Sequence, residues 1–245
     1  MMKQSLDPAV PVLLTRPMEQ GQAFAWRLVE RFGARVQPLL SPLMALHPLA
    51  PDLPKGDFSA VIFTSSTGIS SSHPLRVDLP ARAYCVGRKT AEAAQAAGFQ
   101  AISANGDADA LLSLILADPP KGRLLHLRGE EARGNLAERL SAAGVPTTDL
   151  VVYRQDPQPL TDEAIALLQA AGPVILPLFS PRSGALMAKA LHAGMQAQLY
   201  LAALSPAVAE AASGIPRIAL VTAKRPDADA MLDVIATLIV AAPPP

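Results

Sequence analysis

The residues best placed to do chemistry in this chain are cations and hydroxyls in short turns, each turn following an apolar run and preceding a helical segment. Thr15-Arg16-Pro17, Thr64-Ser65-Ser66-Thr67, Gly87-Arg88-Lys89-Thr90, Arg128-Gly129, Ser180-Pro181-Arg182-Ser183, Ser205-Pro206 and Ala223-Lys224-Arg225 share this setting. A strand that ends at a helix N-terminus presents unpaired amides and the positive end of the helix dipole, so such turns receive anions. The cations Arg16, Arg88, Lys89, Arg128, Arg182, Lys224 and Arg225 all fall in them, although the chain as a whole balances 21 Lys and Arg against 21 Asp and Glu. A local positive field in a neutral molecule favours a polyanionic ligand. Two plainer readings stay open: any one cation can be an ordinary solvated residue, and the hydroxyls can serve as helix caps. Glu19, Glu130 and Glu131 stand nearby and weaken the field.

Other chemistries find little support. His47, His73, His126 and His192 are scattered, with no partner at metal-ligand spacing, so no metal site is expected. The single cysteine, Cys85 in Ala83-Tyr84-Cys85-Val86, excludes a disulfide within the chain and reads as a small buried hydrophobe. No Walker-type loop, no G-x-G-x-x-G after a strand and no serine elbow occurs, so no nucleotide, flavin or metal cofactor is expected. Aromatic residues make up 4% of a neutral chain, which disfavours a nucleic-acid surface. The start resembles no signal peptide, and no segment offers the roughly 18 apolar residues of a membrane span. A soluble cytoplasmic protein without membrane partners is expected, with a monomer as the default.

The turns recur in a pattern. Phe63 and its following turn match Phe179 and its turn at an offset of 116, and Ala91-Glu92-Ala93-Ala94 returns as Ala209-Glu210-Ala211-Ala212 at 118. Asp107-Ala108-Asp109-Ala110-Leu111-Leu112 returns as Asp227-Ala228-Asp229-Ala230-Met231-Leu232 at 120. The next unit, Leu125-His126-Leu127-Arg128-Gly129 with Leu140 and Gly144, has its counterpart at the beginning of the chain, in Leu13-Leu14-Thr15-Arg16-Pro17 with Leu28 and Gly33. The pattern predicts an internal duplication in circularly shifted order. Alternating short strands and amphipathic helices predict two similar, doubly wound α/β domains with parallel, flavodoxin-like sheets. Residues 1–37 with 158–245 form one discontinuous domain and residues 48–147 the other. Residues 38–47 and 148–157 join them as a two-stranded ribbon, and the site is expected between the two copies. The final prolines cannot continue a helix and are expected to fray.

Taken in order, several landmarks resemble the uroporphyrinogen-III synthase family. They are Leu13-Leu14-Thr15-Arg16-Pro17, Ile62-Phe63-Thr64-Ser65, Val86-Gly87-x-x-Thr90-Ala91-Glu92 with Gly98, and Leu127-Arg128-Gly129 with Leu136-Ala137-x-x-Leu140. Val151-Val152-Tyr153-Arg154 and Phe179-Ser180-Pro181 complete a series that spans almost the whole chain. The resemblance implies a cofactor-free enzyme acting on hydroxymethylbilane, a linear tetrapyrrole with eight carboxylates. Water is lost, the ring closes, and the last pyrrole is inverted through a spiro intermediate to give uroporphyrinogen III. It also implies that Tyr153 stands where the family places a tyrosine able to act as general acid on the departing hydroxyl. The implied substrate-binding set is Arg16, Thr64, Ser65, Ser66, Gly87, Arg88, Lys89, Thr90, Arg128, Gly129, Ser180, Pro181, Arg182, Ser183, Ser205 and Ala207. Charge reversal at Arg16 or Arg128 is expected to weaken binding. One departure stands out: Val208 occupies a position where the family carries threonine, which removes a hydroxyl but leaves the amides of Ser205 and Ala207. The competing readings are a non-catalytic two-domain module binding a polyanionic small molecule and, without a metal-binding acidic pair to support it, a nucleotide-sugar transferase.

Overall fold

The computed structural model describes residues 9–131, 134–191 and 194–242. His192 and the closing prolines Pro243, Pro244 and Pro245 lie outside them. In chain order the elements are β1 (Val10–Leu14), α1 (Met18–Phe32), β2 (Val36–Leu40), β3 (Met44–Pro48), β4 (Phe58–Phe63), α2 (Ser66–Ser71) and β5 (Arg82–Cys85). There follow α3 (Arg88–Ala96), β6 (Gln100–Ser103), α4 (Ala108–Ala117), β7 (Arg123–Gly129), α5 (Leu136–Ala142) and β8 (Thr147–Pro157). The last are α6 (Asp162–Gln169), β9 (Gly172–Leu178), α7 (Pro181–Ala190), β10 (Ala197–Ala203), α8 (Pro206–Ala211), β11 (Ala219–Thr222) and α9 (Ala228–Ala241).

These elements gather into two compact units, the first made of Met1–Ala45 and Pro157–Pro245, the second of Leu46–Asp156. The first unit holds a five-stranded sheet in the order β11-β10-β9-β1-β2, with parallel pairing throughout. Numbered along the chain within the unit this is 2-1-3-4-5, the flavodoxin order. The second unit orders its parallel strands β6-β5-β4-β7-β8, with β3 beside β8 at the edge. Counted from β4, that is 3-2-1-4-5, the beginning of the Rossmann order rather than the expected flavodoxin one.

Both sheets are covered on both faces, which is why their strands read as continuous apolar runs. Along β1, Val12 and Leu14 pack on one side with Phe24 and Leu28 of α1 and Met231 and Ile235 of α9. Leu13 faces the other side, with Leu168 of α6, Met187 of α7 and Val208 of α8. In the second unit, Val61 and Phe63 pack with Ile69 of α2 and Ala91 and Ala94 of α3. Ala60 and Ile62 face Leu111 and Ile115 of α4 and Leu136 and Leu140 of α5. Each fully buried leucine contributes roughly 1.5–3 kcal/mol relative to exposure, so these layers fix the strand ends from which the turns project. Cys85 belongs to the second unit's core, and burial pushes its thiol pKa up to about 11, far from a reactive thiolate.

Two prolines in the interior strand β9 each remove a ladder donor. The strand is joined to β1 at Ile175 and Val12, a position lying between Pro173 and Pro177. The most literal sequence repeat has a local cause: Asp107 and Asp227 are the N-caps of α4 and α9, accepting from Ala110 and Ala230 respectively. The pairing of Phe63 with Phe179 shifts by one when elements are matched. Phe63 ends β4, whereas β9 ends at Leu178, and the caps that follow are Ser65 and Ser180. Among the described residues, no helix is long and apolar enough to cross a membrane.

Candidate active site

In open parallel sheets the crevice for ligands lies beyond the strand C-termini, where the winding reverses. In the second unit this is the boundary between β4 and β7. Past the end of β4, Ser65 adopts an extended backbone and caps α2, its Oγ accepting the Gly68 N–H at 3.2 Å. Gly68 has to be glycine here, because a Cβ would stand 2.9 Å from the Leu127 carbonyl oxygen of β7. The same Ser65 Oγ lies 3.2 Å from the Tyr153 hydroxyl.

Tyr153 reaches that place through an irregularity in β8. The β7–β8 register pairs Leu127 with Leu150 and Arg128 with Val151, then slips so that Gly129 faces Tyr153. The extra residue, Val152, is fully buried, and its carbonyl accepts the Leu49 N–H. Strict alternation would place Tyr153 on the face opposite Val152. The slip brings both to the side of Phe63, Leu125 and Ile69. Gly129 forms the floor: a Cβ there would meet the tyrosine ring carbons at 2.6 Å. The Glu130 N–H donates to the Tyr153 carbonyl and holds the strand in this position.

The opposite face of the same crevice carries a polar chain. His126 of β7 and Asp149 of β8 are register partners, with His126 Nδ1 2.8 Å from Asp149 Oδ1. His126 Nε2 is 3.4 Å from Thr64 Oγ1. Arg128 donates from Nε to Asp149 Oδ2 at 2.8 Å and from a terminal nitrogen to the carbonyls of Gly129 and Glu130. Burial by itself raises the Asp149 pKa, but hydrogen bonds and charge from His126 and Arg128 outweigh it, and the net direction is down. Sequence spacing does not reveal His126 and Asp149 as partners, since they meet only across a strand pair. Laying the β7 and β8 segments side by side in parallel register is the signal that finds them.

The equivalent boundary in the first unit lies between β9 and β1, and it is built differently. Arg16, just past β1, sets its guanidinium carbon 4.1 Å from the centroid of Phe179, and donates to Gln20 Oε1 at 2.9 Å. Phe179 is braced edge-on by Phe24 at 4.9 Å. Burial lowers the Arg16 pKa, the mark of a cation partly stripped of water. Ser180 and Ser183 form a reciprocal capping box on α7, with Pro181 in its first turn, so both hydroxyls already have partners within the helix end. Arg182 stands in the same turn.

The remaining predicted positions are distributed along the strand ends. Ser66 is exposed at the start of α2, and Gly87 is the extended N-cap of α3. Arg88 and Lys89 are exposed in the first turn of α3, with Arg88 Nε 3.8 Å from Glu92, while Thr90 is buried at 8% exposure. Ser205 caps α8 through its backbone carbonyl, Ala207 is exposed, and Val208 is buried in the core. The valine therefore serves packing. Arg225 pairs with Asp227 at 2.9 Å, beside the exposed Lys224.

The sequence between residues 25 and 233 matches the family model described as uroporphyrinogen-III synthase HemD. No curated protein gives a significant match. Among solved structures, the uroporphyrinogen-III synthetase of Helicobacter pylori 26695 superposes with a TM-score of 0.67 at 19% identity, covering 94% of this chain and 99% of that one. A mutant uroporphyrinogen-III synthase of the extremely thermophilic bacterium Thermus thermophilus gives 0.52 at 18% identity, covering 95% and 98%. These two likenesses show the shared α/β fold. The family match spans most of the sequence, and the chain belongs to the uroporphyrinogen-III synthase family, the cyclising lyases that convert hydroxymethylbilane to uroporphyrinogen III in haem biosynthesis.

Proposed function

We propose that this chain carries out its family's cyclisation with Tyr153 as the general acid, as a cytoplasmic monomer that needs no cofactor. The observation that carries the assignment of Tyr153 is its hydroxyl 3.2 Å from Ser65 Oγ at a strand-end reversal, on a strand whose register slips at that residue. Loss of the substrate's terminal hydroxyl as water requires a proton. The electron-rich pyrrole expels the oxygen as the phenol protonates it, and the resulting cation spreads onto the pyrrole nitrogen. Attack by the substituted carbon of the last ring gives the spiro intermediate. The older bond from that carbon to its bridging methylene then breaks, the methylene rebonds to the ring's free α-carbon, and the proton lost from that carbon restores the phenol as the macrocycle closes. Reactivity resides in the substrate, so the protein's task is folding the tetrapyrrole into the reacting geometry and excluding the simple head-to-tail closure.

We assign the substrate's carboxylates to strand-end amides and cations. Arg16 is the strongest single candidate, because a partly desolvated guanidinium gains more from a carboxylate than a solvated one does. Thr64, Ser65, Ser66, Gly87, Arg88 and Lys89 line the strand ends of the second unit. Ser180, Pro181, Arg182, Ser183, Ser205 and Ala207 line those of the first. Arg128, Gly129 and Thr90 are assigned to shaping the site, given their internal partners and burial.

The architecture is read as a circularly shifted duplication joined by residues 38–47 and 148–157. The order β11-β10-β9-β1-β2 maps onto β6-β5-β4-β7-β8 strand for strand, with α9 in the place of α4 and α1 in the place of α5. Incubation with hydroxymethylbilane and separation of the product isomers tests the function directly. Type III uroporphyrinogen is expected. Formation of the spontaneous type I isomer alone refutes the enzyme, and tight retention of the bilane without turnover returns the binding-module reading. Sedimentation velocity tests the monomer, since α1 leaves Met18, Trp26 and Val29 at least half exposed.

A further inference from the structure

We propose that His126, held by Asp149, is a positioning residue that turns Thr64 into a hydrogen-bond acceptor for a pyrrole N–H of the bound substrate. The inference rests on the synthase reading and concerns a buried histidine that the proposed acid step does not use. His126 is 3% exposed and sits in the middle layer of the sheet, with Leu124 and Ile62 among the apolar residues of the same face.

The direction of each bond follows from what its atoms can do. An ionised carboxylate only accepts, so the proton shared at 2.8 Å between Asp149 Oδ1 and His126 belongs to Nδ1. In the imidazole tautomer with its proton on Nδ1, the other ring nitrogen, Nε2, carries a lone pair. The hydroxyl facing that lone pair is Thr64 Oγ1 at 3.4 Å. Thr64 therefore donates inward, and its own lone pairs are left for a donor at the mouth of the crevice. Unfixed, a threonine hydroxyl rotates and donates to a carboxylate as readily as it accepts. Fixed by this chain, it favours an N–H over an anion.

The distinction matters for this reaction. When the hydroxyl leaves, positive charge appears on the pyrrole nitrogen and its N–H becomes a stronger donor. An acceptor fixed in advance is then worth more in the transition state than in the ground state. Acid help from Tyr153 and acceptance by Thr64 thus stand on the two faces of one strand-end reversal.

The test uses the full chain and hydroxymethylbilane, after wild-type formation of the type III isomer has been established. Thr64→Val and His126→Asn, which keeps a group toward Asp149 but none in the place of Nε2, should each lower kcat roughly tenfold with little change in KM. His126→Gln, whose amide oxygen can replace Nε2 as acceptor, should recover most of the loss. The double variant Thr64→Val/His126→Asn should be no slower than Thr64→Val alone. Long-range nitrogen–proton NMR of the wild type should show His126 with a protonated Nδ1 and a bare Nε2 at neutral pH. A folded His126→Asn with wild-type kcat, a double variant showing the product of both losses, or a protonated Nε2 would each overturn the proposal. Should the histidine variants fail to fold, Thr64→Val and the NMR measurement still decide it. A wild type that yields only type I isomer refutes the synthase reading instead, while the NMR result stands independently.

Discussion

The two winding reversals of this molecule occupy equivalent places in their sheets yet hold opposite chemistry. Between β9 and β1 the structure offers a half-buried cation, Arg16, laid on Phe179, while the neighbouring serine hydroxyls are absorbed in capping α7. Between β4 and β7 the cation Arg128 is absorbed by Asp149 and two carbonyls, and the hydroxyls of Ser65, Thr64 and Tyr153 come forward. One reversal has spent its hydroxyls and kept its charge. The other has spent its charge and kept its hydroxyls. Strand order alone therefore says where a ligand can bind, and the local hydrogen-bond accounts say whether the place attracts carboxylates or handles protons.

The comparison is easiest to break at its proton side. Tyr153→Phe should reduce kcat about a hundredfold with KM nearly unchanged, as loss of a general acid predicts; wild-type turnover in steady-state assays would remove the phenol from the mechanism. Gly129→Ala should cost between about tenfold and a hundredfold in kcat, because its methyl must displace the tyrosine ring. Adding Tyr153→Phe to that variant should cost little more, which a double-mutant cycle measures. Arg16 and Arg128 separate binding from support. Arg16→Gln should raise KM about tenfold with a loss that salt diminishes. Arg128→Gln should change KM less than about twofold and instead lower Tm by about 3 °C, as expected when a roughly 1 kcal/mol contact is lost from a chain of this size.

The smallest effect is on acid stability. The net downward shift of the Asp149 pKa means that its ionised form favours folding above the ordinary carboxylate value of about 3.9, and that this contribution is lost as pH falls through the folded value. Urea midpoints measured from pH 5 to pH 3 should therefore fall more steeply for wild type than for Asp149→Asn. Parallel curves would show that the His126–Asp149–Arg128 chain adds nothing to stability there.

Much of this arrangement can be read from residue types and spacing. The repeats beginning at Asp107 and Asp227 are legible because a capping aspartate followed by an apolar helix is a local signal. The strand-end turns are legible because every βα unit must end its strand before its helix begins. What spacing misses is non-local. Asp149 lies 23 residues from His126 and becomes its neighbour only when two parallel strands align. The Phe63 and Phe179 match is off by one position because both strand ends are apolar and only the caps, Ser65 and Ser180, distinguish the registers. The internal partners of Arg128 are equally invisible, since carbonyls at Gly129 and Glu130 leave no mark in a sequence.

The slip in β8 carries a further consequence. Leu150, Val151 and Val152 give the run before Tyr153 apolar side chains at every position, so composition alone does not determine which side of the sheet the tyrosine takes. The slip does: Val152 has no register partner, so Tyr153 keeps the side of Leu150. With Val152 removed, Tyr153 would follow Val151 directly, pair with Gly129 in an unbroken ladder and keep its side; straightening the ladder with Val152 retained would instead send the phenol across the sheet from Ser65. The side taken by the proposed acid is thus specified by the bulge, and a relative that retains the tyrosine and the run before it but pairs them without the slip would carry the same letters with a different reach.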